Sequence, residues 1–235
     1  MSKGGIMKKL VYIFLFFFSL YSESFIKSIE FPKSLLYLAE KDGFLLPNFA
    51  DYPLLNEPGS PLLPNVPIYI LLPNKAINYD IKILESDYEV INLDKKIYPA
   101  QLPKPISEKK EIPFIPINEK IYNSDIYPRE IFKKLPLAIK SNFKIAPLIF
   151  YPLQYLPKEN KLKFYKRITL EIICETNESE EFFLTPSQYQ TFLPDIEYLI
   201  YNKEDIKGFS PKIKSIQNEI DYLIITTDAL IPYFN

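Results

Sequence analysis

The chain has 235 residues with 28 basic and 29 acidic side chains, a formal net charge of −1, one cysteine and no histidine. This length can bury the core of one or two domains, and the balanced charge gives no support for nucleic-acid binding, which needs a basic face. The missing histidine excludes Ser-His and Cys-His catalytic pairs and His-ligated metals within this sequence. The single cysteine excludes an internal disulfide. We therefore expect no cofactor, no metal and no nucleic-acid partner.

The first 24 residues have the layout of an export signal. A basic start, Met7–Lys9, precedes the apolar run Leu10–Leu20, and Ser22 and Ser24 supply small residues at the spacing that a signal peptidase prefers. The apolar run is short for a membrane span, which needs ~20 apolar residues. We expect cleavage after Ser24. The mature chain is then secreted or cell-surface, with membrane contact only during export.

Two stretches alternate between apolar and polar residues, which is typical of half-buried strands. In the first, Ile77, Tyr79, Ile81 and Ile83 are predicted to share one face. The second has a longer apolar face, made of Leu162, Phe164, Ile168, Leu170, Ile172 and Cys174. Lys166 interrupts this face and predicts a sheet end or a bulge.

Further strands are predicted at Val66–Leu72 and Tyr88–Leu93. The segment Ile145–Leu156 contains Pro147 and Pro152, so we expect it to be an edge strand or a bent strand. Residues 25–176 therefore predict a mainly β domain, an antiparallel sandwich, because many short strands must cover each other's apolar faces.

A proline- and lysine-rich stretch, Tyr98–Tyr127, is predicted to be a long loop or an arm on a surface. Residues 177–219 predict a connector with one or two short helices. The apolar run Tyr222–Thr227 is typical of a strand buried on both faces, as in parallel α/β sheets. Residues 220–235 are therefore interpreted as the start of a separate, truncated α/β domain.

Three patterns together resemble the propeptide of gingipain-type cysteine peptidases. They are Gly59–Pro64 followed by a strand ending at Pro73, Ala146–Pro157 followed by the strand to Ile173, and Asp221–Asp228. The resemblance implies a β-rich prodomain followed by a caspase-like peptidase domain with a His-Cys dyad. The sequence has no histidine and no cysteine suited to such a dyad, so we expect an N-terminal fragment of a longer precursor. Its partner would be the downstream peptidase domain in cis, which it would inhibit and help to fold.

The resemblance also suggests positions that act on the peptidase. A basic side chain on a prodomain loop can fill the specificity pocket of a peptidase that cuts after basic residues. The candidates are Lys104, Lys109, Lys110, Lys120, Arg129, Lys133 and Lys134. Candidate processing positions are Ser24, Lys203, Lys207, Lys212 and Lys214.

Other reactive residue types have simpler interpretations. Cys174 lies on an apolar face and is expected to be a buried core thiol. Asp221 and Asp228 flank the final predicted strand and are expected to be cap or turn residues. An alternative function is a stand-alone extracytoplasmic β-sandwich that binds protein or polysaccharide. A hydrolase active within this chain alone is a third reading, against which the missing histidine argues.

Overall fold

The computed structural model describes residues 21–103 and 113–214, together with Thr227, Asp228 and Tyr233. The strands are β1 (Tyr21–Glu30), β2 (Leu36–Lys41), β3 (Phe44–Phe49), β4 (Val66–Leu71), β5 (Ala76–Asn92), β6 (Phe132–Lys134), β7 (Ala138–Lys140), β8 (Phe143–Phe150), β9 (Leu153–Leu156), β10 (Lys161–Thr176), β11 (Phe183–Leu184) and β12 (Lys212–Ile213). The α-helices are α1 (Glu119–Tyr122), α2 (Pro186–Leu199) and α3 (Ile206–Phe209). The fold is mainly β with antiparallel sheets, as predicted.

The first sheet is built around β10. Its partner on one side is β5, and its partners on the other side are β1 and then β9, all antiparallel. The six side chains of its predicted apolar face are fully buried. The pairing with β5 shifts register between Tyr165 and Arg167, so the bulge predicted at Lys166 is confirmed.

The two strands predicted at residues 77–83 and 88–93 are one edge strand, β5. Tyr79 of its predicted inward face is buried, but Ile77 and Ile83 keep 38% and 37% of their surface exposed. Ile77 is skipped by the pairing with β10 at the register shift between Glu175 and Thr176, so it leaves the buried face. Ile83 pairs with Leu170 in the same register as Tyr79 and lies next to a second shift, between Thr169 and Leu170. Each shift disturbs the alternation of faces, so a simple period of two fails along this strand.

The second sheet is centred on β8, which pairs with β4 on one side and with β6 and β7 on the other. The edge strand expected at Pro147 is therefore wrong. The alternative of a bend is confirmed at Pro152, where the chain passes from β8 in the second sheet to β9 in the first. Pro147 sits opposite the gap between β6 and β7, where its carbonyl accepts from the N–H of Leu135 at 3.1 Å. Since N and C=O of one residue in an extended strand point to the same side, the missing N–H faces this gap and removes no ladder bond.

The second sheet separates two hydrophobic cores. The main core lies between the sheets and takes Ile70 and Leu148 from the second sheet, with Ile168 and Leu170 from the first. The second core lies on the other face, where Leu71 and other side chains of β4 and β8 meet α2 and α3. Its buried members are Leu71, Phe143, Ile145, Leu184, Ile196, Ile200 and Ile206. The molecule is thus a sandwich with a helical layer on one side.

The helical layer occupies the region predicted to be a connector. Pro186 is the first residue of α2, and Thr185 caps it with a reciprocal bond to Gln188, so the local sequence favours a helix start at this position. Because α2 and α3 bury Ile196 and Ile206, the folded unit continues well past residue 176. The strand predicted at Tyr222–Thr227 lies outside the described residues apart from Thr227.

The first strand begins inside the predicted export signal. Tyr21 pairs with Thr176 and Ser24 with Ile173, so residues 21–24 belong to the sheet and not only to a leader. β10 extends to Thr176 and pairs with β5 along one edge, and residues 21–24 cover its other edge. No helix within the described ranges has the length and hydrophobicity to cross a membrane.

Candidate functional site

The two flanks of the predicted arm lie side by side and are joined by one glutamine. The Gln101 side-chain amide donates to the carbonyls of Pro99 at 2.9 Å and Ile115 at 3.0 Å, and its oxygen accepts from the N–H of Ile115 at 2.8 Å. A side-chain amide can bridge two backbone segments in this way because it carries both donors and an acceptor. Gln101 and Ile115, which flank the undescribed residues 104–112 in the sequence, are therefore held next to each other.

A glycine turn holds these flanks against the domain. Gly59 donates to the carbonyl of Ala100 at 2.8 Å, and its own carbonyl accepts from Asn118 at 2.8 Å. Gly59 has φ +81°, and a Cβ there would lie 3.0 Å from the carbonyl oxygen of Pro116. Both the backbone conformation and the close approach require glycine. We call Gln101, Ile115 and the Gly59 turn the arm base.

Aromatic rings surround the arm base. Phe114 lies 6.3 Å from Phe44 and 6.0 Å from Tyr98 between ring centroids, and Lys41 places its ammonium 4.7 Å from the Tyr98 ring. Phe114 and Leu102 each keep 50% of their surface exposed. Apolar groups thus remain available to a partner on both flanks.

The candidate inhibitory cations differ in availability. Lys104, Lys109 and Lys110 lie outside the described residues. Lys120 and Arg129 are exposed, on α1 and on the segment before β6. Lys133 is exposed on β6.

Lys134 already has partners within the domain. Its ammonium donates to the carbonyl of Tyr79 at 2.7 Å and to the carboxylate of Asp80 at 3.1 Å. The bond to Lys134 is the main cause of the lowered pKa of Asp80. Lys134 therefore joins β6 to β5, and it would have to give up these bonds to enter another protein's pocket.

The candidate processing positions all lie in folded segments. Ser24 is in β1 and donates to Glu171 at 3.1 Å. Lys203 begins a 3-10 turn whose carboxylates, Glu204 and Asp205, each lie 2.7 Å from the ammonium of Lys27 on β1. The three later positions, Lys207, Lys212 and Lys214, lie in α3, in β12 and directly after β12.

No nucleophile or metal centre is assembled by the described residues. Cys174 is fully buried, and burial raises the pKa of its thiol to about 12, so it stays neutral and unreactive. Asp228 is exposed, and Asp221 lies outside the described residues. Within residues 21–103 and 113–214 no three acidic, Cys or His side chains are grouped closely enough to hold a metal.

Comparison with known proteins decides the family. A family model described as Propeptide_C25 matches residues 28–202. The chain belongs to the Propeptide_C25 family. It therefore carries a propeptide of the gingipain type, and the resemblance seen in the sequence is confirmed. This membership does not favour the alternative of a stand-alone binding module.

Two solved structures from Porphyromonas gingivalis share the fold of this propeptide. One is the complex of RgpB pro- and mature domains, with TM-score 0.59 and 18% identity over 77% of this chain and 93% of that chain. The other, on the zymogenic latency of gingipain K, has TM-score 0.52 and 21% identity over 71% of this chain and 97% of that chain. No curated protein matched this chain. Propeptides of this type belong to secreted or cell-surface peptidases.

Sequence reasoning missed two amides that organise the propeptide. Gln101 joins the arm flanks. Asn202, fully buried, accepts from the N–H of Leu71 at 2.7 Å and donates to its carbonyl at 3.0 Å. Asn202 has no local signal, because its partner Leu71 is 131 residues away in sequence. Gln101 bonds to the nearby Pro99 and to Ile115, and no local pattern predicts the contact with Ile115. In the sequence Gly59 belongs to a proline-rich motif, and because the chain has only five glycines, its presence there is a usable signal for a special backbone conformation.

Proposed function

We propose that this propeptide binds the peptidase domain of its own precursor in cis, closes the substrate cleft and assists folding of that domain. The observation that carries the proposal is the arm base, which holds together the described residues Gln101 and Ile115, between which Lys104, Lys109 and Lys110 lie in the sequence. A segment whose ends are fixed loses less conformational freedom on binding than a free chain does. A partner of this kind is consistent with the RgpB structure, which is a complex of pro- and mature domains.

The proposed mechanism is steric occupation of the cleft. One of Lys104, Lys109 and Lys110 would place its ammonium in a specificity pocket that accepts basic side chains. Leu102 and Phe114 would add apolar contact on either side, because each is half-exposed at the arm base. Lys120, Arg129 and Lys133 are secondary candidates, since they are exposed but lie outside the anchored segment.

The folding role follows from the independence of the propeptide. The two hydrophobic cores that its described residues form support this role, because a unit with its own cores would fold before the downstream domain is finished. A preformed surface then presents a template for the peptidase domain. Export with removal of the leader is part of the same proposal, and its N-terminal test is given in the Discussion.

The experiment is inhibition of a mature gingipain-type peptidase by the purified propeptide. We expect nanomolar to micromolar inhibition of peptide hydrolysis. Alanine substitution of one arm lysine (K104A, K109A or K110A) is expected to weaken it at least tenfold, because loss of a buried charged contact costs about 2–5 kcal/mol. The matched control is Lys140→Ala, an exposed lysine at the end of β7.

Two outcomes would contradict the proposal. One is a correctly folded wild-type propeptide that inhibits no peptidase of the family and does not bind it in gel filtration. The other, directed at the arm alone, is a triple variant that inhibits as well as the wild type. In that case the exposed cations Lys120, Arg129 and Lys133 become the next positions to substitute.

A further inference from the structure

Lys144 is buried on the inner face of the second sheet. Along β8 it alternates with Ala146 and Leu148, which both belong to the main core, so all three side chains are directed to the space between the sheets. Lys144 keeps only 2% of its surface exposed. Lysine is almost never buried to this extent unless it is paired, because a charge removed from water is costly without an anion or several acceptors.

The described residues satisfy the ammonium of Lys144 only in part. It donates to the carbonyl of Glu180 at 2.8 Å and lies 4.9 Å from the centroid of the Phe182 ring. An ammonium carries three donors, and within residues 21–103 and 113–214 the other two have no acceptor. None of the ion pairs formed in those ranges includes Lys144. Burial lowers the pKa of Lys144, and the charge of Glu180 opposes this as a smaller cause.

A cavity of about 380 Å³ opens beside Lys144, a volume that is typical of small-molecule sites. Its walls are largely apolar and include Ile77, Leu137, Ile139 and Phe182. Ile139 of β7 is directly opposite Lys144 in the pairing with β8, so the two side chains share one face of the sheet. Ile77 and Ile139 keep 38% and 55% of their surface exposed. Exposed apolar surface and an incompletely paired cation therefore meet in one cavity.

Asn177, which follows the last residue of β10, adds a neutral donor to the same cavity. Its side-chain oxygen accepts from the N–H of Ser179 at 3.0 Å and from the Ser179 hydroxyl at 2.7 Å. These two bonds orient the amide, and its Nδ2 has no acceptor in the described part of the chain. The cavity thus combines one cation, one amide donor and apolar walls, which is the chemistry that an apolar carboxylate requires.

We propose that this cavity binds a small carboxylate that carries a short apolar chain. The carboxylate accepts from the free donors of Lys144 and from Asn177, and it supplies the missing counter-charge. The chain covers the apolar surface of Ile77 and Ile139, which a fully polar anion such as phosphate leaves exposed to water. The site shares no residue with the arm base, so the inference goes beyond the proposed function and does not depend on it.

The test is titration of the purified full chain with acetate, butyrate and hexanoate, followed by NMR of ¹³C-labelled lysine side chains. We expect a saturable shift of the Lys144 signal and an affinity that rises roughly two- to fourfold for each added methylene. Hexanamide has the same chain without the charge and should bind at least about tenfold more weakly. N-acetyl-leucine represents the other source of this chemistry, the C terminus of a peptide. Whichever of hexanoate and N-acetyl-leucine binds more tightly assigns the source.

Two variants test the role of the cation. Lys144→Met removes the charge and keeps an apolar chain of similar length, so the protein should fold while hexanoate affinity falls at least about tenfold. Lys140→Met, at the exposed end of β7, is the matched control and should bind as the wild type does. Ile139→Glu places a carboxylate opposite Lys144, so it should raise the pKa of Lys144 in the same NMR experiment and also abolish binding.

Equal hexanoate affinity of Lys144→Met and the wild type would overturn the proposal, as would equal affinity of the wild type for hexanoate and hexanamide. A third contrary result concerns Glu180, whose carboxylate is the competing counter-charge. If Glu180→Gln lowers the pKa of Lys144 and hexanoate leaves the Lys144 signal unchanged, the cation is already paired within the chain and the cavity is no carboxylate site. None of these measurements uses the inhibition assay, so this proposal and the proposed function can fail separately.

Discussion

The surroundings of Cys174 determine the pKa and the reactivity of its thiol. It lies in β10 between the two sheets, and burial raises its pKa from 9.0 to about 12, with the nearby Glu23 charge as a smaller cause. Because the native pKa is above the unfolded one, the unfolded chain loses this proton first as pH rises. The stability that this group contributes is therefore complete below pH 9 and declines above it.

We expect Cys174 to resist thiol reagents in the folded protein at pH 8 and to react fully once denaturant unfolds the chain. The measurement is the release of a coloured thiolate from a disulfide reagent, with and without denaturant. The variant Cys174→Ala provides the blank. Complete labelling within the mixing time under native conditions would show that the strand is open and that the buried assignment is wrong.

At the level of single residues, the sequence predicted those whose burial follows a local period. Cys174 and its neighbours on β10 alternate, so their face could be assigned without coordinates. Asn202 could not be predicted, because its partner Leu71 is 131 residues away in sequence. Gln101 could not, because its contact with Ile115 follows no local pattern. A buried polar side chain has no pattern of its own, and its partner is chosen by the tertiary fold.

At the level of elements, the side chain of Asn202 hydrogen-bonds to the backbone of β4 as a neighbouring strand would. Its amide pairs with both the N–H and the C=O of Leu71, and it also donates to Asp205 at 2.6 Å. Asn202→Ala leaves two buried backbone groups of Leu71 without partners. We expect this to lower the free energy of unfolding by about 2–4 kcal/mol.

Urea unfolding followed by circular dichroism measures this effect. The midpoint should fall while the slope with denaturant stays constant. Asn123→Ala, on the exposed end of α1, is the control and should unfold close to the wild type. A midpoint for Asn202→Ala equal to that of the control would mean that water replaces the amide without cost.

Secondary-structure elements were predicted correctly where apolar and polar residues alternate regularly along the chain. The bulge at Lys166 was predictable because one charge interrupts an otherwise apolar face. The edge position expected for Pro147 was wrong because a proline can sit inside a sheet wherever a neighbouring strand ends. α2 is longer than the short helices predicted for this region. Its apolar residues are buried because they pack against the outer face of β4 and β8, a contact that the local sequence does not show.

At the level of the whole molecule, the start of the mature chain is a prediction that the sheet makes more specific. Cleavage after Ser24 removes four residues that pair with β10, whereas cleavage before Tyr21 keeps β1 complete. N-terminal sequencing of the exported protein distinguishes the two. Phe25 as first residue supports the original position, Tyr21 or an earlier residue supports a boundary set by the sheet, and an uncleaved Met1 contradicts export by a removable leader.

The order of layers could not be predicted from the sequence. Period and proline content indicated a sandwich, but nothing local indicates that the second sheet carries apolar residues on both faces, such as Ile70 on one and Leu71 on the other. Which face of the second sheet packs against which element depends on contacts between residues that are far apart in sequence.

The second sheet contributes side chains to both hydrophobic cores, so the stabilities of the two cores are coupled. If heat or denaturant removes the helical layer, the outer face of β4 and β8 becomes exposed to water. The inner face of the same two strands belongs to the core of the sandwich. Melting of one compartment therefore weakens the other, and the propeptide behaves as a single cooperative body although its chain first builds the sandwich and only afterwards adds the helices.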